Sequence, residues 1–290
     1  MFSETLHLTG AKGQYHRAAP PYGSRRGIDW EQIEQRRRVH FKVIHVPGDD
    51  LNGIEPFYLS QTEVTWEMFA AWAFGIEGEV GDQSYVRAGL RPSKMSGIVV
   101  DMGMQDRPVI SLSAQAAEAY CIWLSEQTGR RYRLPTEAEW HHALSIGGGV
   151  PTDVGQLLAT AYLADNAQPL DLPAPPEAFD PFADIEPETE RAVRKTAPVA
   201  SREPNVLGLY DMLGNAAEWV TTDTGHALVG GHYDLPAADL TPDWRVEPDA
   251  DAWDATSPNR WSHDHWYHTV LFQGFRLVCE PVNFPEISED

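Results

Sequence analysis

The sequence predicts an α+β domain, on three observations: two helices carry strong signals at both ends, the strand-like runs are short and broken by turns, and no alternating strand–helix–strand units follow one another. The first 38 residues, which include Arg36-Arg37-Arg38, show scattered charge and little periodicity; they are expected to form an N-terminal arm, with one domain over 39–290. In "VHFKVIHVPG", Val39, Phe41 and Val43 alternate with His40 and Lys42, a strand that Pro47-Gly48 ends. "PFYLSQTEVTWEMFAAWAF" reads as a strand and then a helix with Thr65 as N-cap.

The clearest helix opens at Ser113. Ala117, Tyr120, Cys121 and Leu124 share one face, and Gly129 supplies a left-handed end. A second helix starts at Thr136, whose spacing to Glu139 is that of a capping box, with Ala138, His141 and His142 inside it. The stretch 165–190 is acidic and carries Pro169, Pro173, Pro175, Pro176, Pro181 and Pro187, so it is an irregular insert. The expected core is Val64, Phe69, Trp72, Tyr120, Trp123, Leu134, Trp140, Leu209, Trp219, Phe275 and Leu277, with Arg276 half-buried against a carboxylate or carbonyls.

Charge excludes some functions. The chain has 22 Lys plus Arg against 43 Asp plus Glu, a formal net charge of -21, and a field of that sign repels phosphate backbones and anionic lipid. Neither nucleic acid nor a membrane is an expected partner. The sequence shows no apolar run long enough to span a bilayer and no signal-peptide pattern, so a cytoplasmic location is expected. Cys121 and Cys279 are too few for a disulfide framework or a thiolate zinc site and read as small buried hydrophobes.

Four blocks stand in a fixed order: "EVTWEMFAAW" at 63–72, "RPVISLSAQAAEAYCIWLSEQTGRRYRLPTEAEW" at 107–140, "NVLGLYDMLGNAAEWVTTD" at 205–223, and "GGHY" at 230–233 with "GFRLV" at 274–278. Together they resemble the formylglycine-generating enzyme, or sulfatase-modifying factor, family over about residues 40–280. The resemblance implies a C-type-lectin-like fold of low regular secondary structure and a structural calcium. Its calcium ligands map onto Asp211, Gly214, Ala216 and Glu218, and hard oxygen donors on a tight turn suit that ion. The alternative is that Asp211 and Glu218 only orient the turn by hydrogen bonds. A second family calcium site would fall near Asn166 and Asp180.

The same resemblance implies an oxidase that holds copper between two thiolates, and here this sequence departs from it. The thiolate positions carry Leu235 and Leu240, the serine of the family's Gly-Gly-Ser motif is His232, and no cysteine lies between Cys121 and Cys279. Soft Cu(I) needs sulfur ligands, so neither formylglycine generation by the two-cysteine route nor a copper–thiolate site is expected.

Three readings follow. In the first, the former active-site groove binds a peptide or small molecule without chemistry, with Trp244, Trp253, Trp261, Trp266 and Tyr267 as an aromatic rim. In the second, His232 joins His263, His265 and His268 of "WSHDHWYHT" to hold iron, zinc or copper for oxygen chemistry; the candidate catalytic residues are then His232, Tyr233 and Asp234. Against it, the neighbouring Trp266 and Tyr267 suggest recognition, and such histidines also serve as neutral hydrogen-bonding groups. In the third, the domain is a structural partner in a larger assembly, docking through the 165–190 insert and the tail "EPVNFPEISED". His141-His142 reads as solvated surface, and Gly147-Gly148-Gly149 as a helix breaker rather than a phosphate loop. Ser111 and Ser113 show no nucleophile elbow.

Overall fold

The computed structural model describes residues 2–7, 38–73, 106–169, 194–249, 253 and 270–281. Regular structure begins earlier than Val39. Strand β1, Phe2–His7, pairs antiparallel with β2, Arg38–Val46, in the register Phe2↔Val43 to His7↔Arg38. The low periodicity of the first 38 residues concealed this strand, because a short edge strand needs no strong alternation.

From β2 the chain turns into β3, Phe57–Ser60, and helix α1, Trp66–Ala73. Thr65 caps α1 as its sequence predicts, its Oγ1 accepting from the Met68 amide at 3.4 Å. Helix α2, Ala114–Thr128, starts at Ser113, whose side chain accepts from Ala116, and ends at Gly129 with φ 71°. After β4, Tyr132–Arg133, helix α3, Glu137–Ile146, opens on the full Thr136–Glu139 capping box. Helix α4, Val154–Thr160, capped by Asp153, was not legible from periodicity because it is only two turns long. Strands β5, Ala217–Thr222, and β6, Gly225–Val229, form a hairpin, and three two-residue strands follow: β7 Arg245–Val246, β8 Gln273–Gly274 and β9 Val278–Cys279.

Two sheets result, in the orders β1-β2-β3-β9-β4 and β7-β6-β5-β8. The β5–β8 pair is parallel and the others are antiparallel. The mixed α+β class is as expected. Placing β9 between β3 and β4 ties the last described strand to the first part of the chain. One apolar cluster gathers α1, α2 and the β8 region around Phe69, Tyr120, Trp219 and Phe275. The other gathers α3, α4 and residues of β2, β3, β5, β6 and β9 around Trp140, Leu163, Leu209 and Val229.

All eleven expected core residues are buried, as are both free cysteines. Arg276 departs from its expected half-burial: it has 0% exposure. Among the described residues no helix is long and apolar enough to cross a membrane.

Candidate ligand groove and buried carboxylate cluster

The hairpin's second strand ends at Gly230-Gly231, both left-handed, with φ of 90° and 75°. Gly231 is required by contact as well as by backbone. A Cβ there would lie 2.7 Å from Leu240 Cδ1 and 3.0 Å from Leu235 Cδ2. The two leucines therefore converge on one glycine, and both pack into the second apolar cluster. At the two positions where the resemblance calls for thiolates, this chain has an apolar plug.

The next residue faces differently. The His232 ring stacks on Phe272 with centroids 4.1 Å apart and planes 7° from parallel, and meets Trp244 edge-on at 5.7 Å. Its Nδ1 accepts from the Asp234 amide at 3.2 Å, which places the proton of the neutral ring on Nε2. Tyr233 points the other way. It is buried, its hydroxyl donates to the Leu271 carbonyl at 3.5 Å, and burial pushes its phenol well above the ordinary range. Asp234 is held by Arg194 at 2.7 Å. His232, Tyr233 and Asp234 thus share a turn without converging as an acid–base set.

Of the expected aromatic rim, Trp244 stands beside His232, half-buried. Trp253, also half-buried, packs against the first apolar cluster and tilts over Trp219 at 6.2 Å. Trp261, His263, His265, Trp266, Tyr267 and His268 lie outside the described residues, as does Asp180. Phe272 and Arg194, which contact His232 and Asp234, lie far along the chain from that turn and carried no sequence signal of the contact. His141 and His142 are partly buried rather than solvated. Trp140 lies edge-on against His141 at 5.2 Å, and His142 Nε2 donates to the Pro47 carbonyl at 2.8 Å.

Beneath the Gly-Asn turn lies a buried cluster of charge. Arg276 grips Glu218 by a fork, Nε to Oε2 and Nη2 to Oε1, each at 2.6 Å. Trp140 Nε1 donates to the same Oε2 at 2.7 Å. The remaining guanidinium protons reach the carbonyls of Ser60, Tyr210 and Asp211. Glu63, in the first sequence block, is a further member that the sequence did not single out. Its Oε1 accepts from the Ala216 amide and its Oε2 from Asn215 Nδ2.

Asp211 sits at φ 53° and takes the Ala200 amide on Oδ2, while its Oδ1 is buried without a partner. Three buried carboxylates face the fully buried Arg276, and Arg202 also acts on Asp211. Burial above all, then Asp211 and Glu218, raises the Glu63 carboxyl well above its ordinary value against the pull of Arg276. Burial likewise pushes Asp211 up to about 6 despite the Ala200 amide and Arg276.

These contacts test the expected calcium set. Asp211 fits, since Oδ1 is an unpartnered hard donor in a region of excess negative charge. Glu218 fits less well, because Oε2 already accepts two hydrogen bonds and only Oε1 keeps a lone pair. No group of three or more His, Cys, Asp or Glu side chains among the described residues is placed to hold a metal ion. Asn166 Oδ1 accepts from the Leu163 amide and its Nδ2 donates to the Leu158 and Ala161 carbonyls, so its amide closes the end of α4.

Comparison with known proteins gives four similarities. A model of the sulfatase-modifying factor enzyme 1-like domain matches residues 30–280. The formylglycine-generating enzyme of Bos taurus is 33% identical over 120 residues, 40% of this chain and 27% of that protein. The serine/threonine-protein kinase Pkn1 of Chlamydia trachomatis serovar L2 is 26% identical over 194 residues, 64% of this chain and 24% of that protein. The chain thus spans about a quarter of the length of these curated relatives. Among solved structures, Treponema denticola variable protein 1 superposes with a TM-score of 0.50 at 18% identity, over 84% of this chain and 96% of that one, a likeness of fold.

Proposed function

The chain belongs to the sulfatase-modifying factor enzyme 1-like domain family, and we propose that within it this protein is a binding member: its groove beside Gly230-Gly231 recognises a peptide or small molecule and does not oxidise it. The observation that carries the reading is the contact of Leu235 and Leu240 over Gly231. Two leucine side chains offer no ligand to copper, and both pack against the second apolar cluster.

The groove's chemistry suits recognition. His232 and Phe272 form a stacked pair with Trp244 at its edge, a flat surface on which an aromatic or peptide plane can lie. Nδ1 of His232 is committed to the turn, which fixes the orientation of the ring. Arg194 fixes Asp234 and with it the entry to the turn. The test is a peptide-array binding screen with the full chain and with His232→Ala. Loss of wild-type hits in the variant, with the melting temperature retained, supports the groove; identical hits remove it.

Calcium is the second part of the proposal. Asp211 Oδ1, the Gly214 and Ala216 carbonyls and the free lone pair of Glu218 Oε1 would hold it, and the ion would supply positive charge to a cluster in which three carboxylates outnumber the guanidiniums that act on them. Its role there is structural. Chelation followed by thermal unfolding tests it, with a fall in melting temperature as the supporting result.

A further inference from the structure

Six asparagines occur in the chain; Asn52 alone is followed by glycine, and no aspartate is followed by glycine. The Asn52-Gly53 pair sits in a hairpin loop whose ends, Asp49 and Ile54, exchange backbone hydrogen bonds. The Asp49 amide donates to the Ile54 carbonyl at 2.7 Å and the Ile54 amide to the Asp49 carbonyl at 3.0 Å. The sequence Asp-Asp-Leu-Asn-Gly supplies the turn chemistry: Asp49 Oδ1 accepts from the Leu51 amide at 3.0 Å, and Gly53 takes the left-handed position at φ 68°.

Both members of the pair are exposed. The Asn52 carboxamide makes one hydrogen bond among the described residues, Nδ2 to Asp49 Oδ2 at 2.6 Å, which engages its nitrogen and leaves its carbonyl to solvent. The Gly53 amide makes no hydrogen bond with the described residues, and a Cβ at Gly53 would meet nothing within 4 Å. A backbone nitrogen with no bond to break thus stands next in the chain to an exposed amide carbon, and no side chain on that nitrogen's own residue crowds the approach.

The other described asparagines differ on every count. Asn215 is buried, its Oδ1 accepting from the Ala197 amide and its Nδ2 donating to Glu63 Oε2, and the amide that follows, of Ala216, is bonded to Glu63 Oε1. Asn205 Oδ1 accepts from the Leu207 and Leu209 amides, and the following Val206 amide donates to the Gly147 carbonyl at 3.2 Å. Asn166 is tied at both ends of its carboxamide, and the following Ala167 amide donates to the Leu163 carbonyl at 2.8 Å. In each of these the next nitrogen is committed to a hydrogen bond and carries a side-chain-bearing residue.

We propose that Asn52 is a site of spontaneous covalent modification, at which its carboxamide is converted to aspartate and isoaspartate through a cyclic imide formed with Gly53. The Gly53 nitrogen gives up its proton and bonds to Asn52 Cγ; the Cγ–Nδ2 bond breaks, and the amide nitrogen leaves as ammonia with that proton. Water then adds to either carbonyl of the ring, which opens to an aspartate side chain or to a backbone that runs through the former side chain. The step is neither an oxidation nor a reduction, and water is its one co-reactant. The product sets a carboxylate where Nδ2 now donates, opposite an Asp49 carboxyl that this same bond, first among its contacts, helps hold below the ordinary range. The modification therefore removes a bond from the turn and adds a negative charge to a chain already at -21.

The experiment ages the full chain in mildly alkaline buffer at physiological temperature and maps its peptides by mass spectrometry at intervals, with electron-transfer fragmentation to separate isoaspartate from aspartate. The expected result is a mass gain of about 1 Da at Asn52, with isoaspartate present, that accumulates roughly tenfold or more faster than at Asn166, Asn205 or Asn215. Gly53→Ala, which restores a Cβ beside the attacking nitrogen, should slow it roughly tenfold. Asn52→Gln, which would have to close a larger ring, should abolish it, and both variants change an exposed turn and should melt near the wild-type temperature. Conversion at Asn52 no faster than at the other three, aspartate without isoaspartate, or an unchanged rate in Gly53→Ala overturns the proposal.

Discussion

Arg276 and Glu218 meet through two 2.6 Å contacts with 0% and 1% of their side chains exposed, so the last described core segment is fastened to the strand after the Gly-Asn turn by a fully dry ion pair. A pair of this kind is held by geometry. Arg276 also satisfies the carbonyls of Ser60, Tyr210 and Asp211, so one side chain joins four stretches of the chain.

Removing one partner should therefore be severe. Glu218→Ala is expected to cost about 3–5 kcal/mol by leaving a buried guanidinium uncompensated. Urea unfolding measures it. A loss of roughly 1 kcal/mol or less would show that solvent reaches the pair.

Calcium at Asp211 predicts ligand-linked stability. At calcium a hundred times its dissociation constant the gain is about 2.7 kcal/mol, a rise in melting temperature on the order of 5–10 °C. Scanning calorimetry with calcium and with chelator tests this, and Asp211→Ala should lose most of the difference. A melting temperature indifferent to chelation removes calcium from the account.

The leucine pair predicts a gain of function. Because both side chains converge on Gly231, cysteines at Leu235 and Leu240 would face one another. The double variant Leu235→Cys/Leu240→Cys should bind Cu(I) in competition with a chromophoric chelator, where the wild type does not. Leu240→Ala alone should cost about 2–5 kcal/mol as a cavity and bind no copper. Copper binding by the wild type at the level of the double variant would contradict the closed plug.

Acid sensitivity should follow from Glu139. Burial works to raise its carboxyl, but the hydrogen bonds from Arg133 and Thr136 prevail and hold it below its ordinary value. A carboxyl depressed in the folded state contributes stability that is full above its unfolded pKa of about 4.3 and is lost as pH falls through the lower folded value. Glu139→Gln should flatten the stability profile in that acid window and lower stability at neutral pH. An unchanged acid limb would assign the sensitivity to other groups.

The helices were legible because their ends are written locally: Ser113, Gly129, Thr136 and Glu139 act through bonds within a few residues. The core was legible for the same reason, since large apolar residues at helical or strand spacing have one stable place. The site was only partly so. Gly230-Gly231 and the loss of thiols could be read from position, but the stacking of His232 on Phe272 joins residues 40 apart, and Glu63 reaches Asn215 across 152. Arg276 read as half-buried because a lone charge near a core is costly; only its fork to Glu218 makes complete burial tolerable. Strand β1 escaped notice because its pairing partner supplies the order that its own sequence does not display.

The most direct test of the central claim is the metal content of the full chain, purified without added metals or tags and measured by elemental mass spectrometry. A binding domain with a leucine plug and a calcium-braced turn predicts about one calcium per chain and no stoichiometric copper or iron. Copper or iron near one per chain, lost in His232→Ala, would contradict it and make the groove a reaction centre.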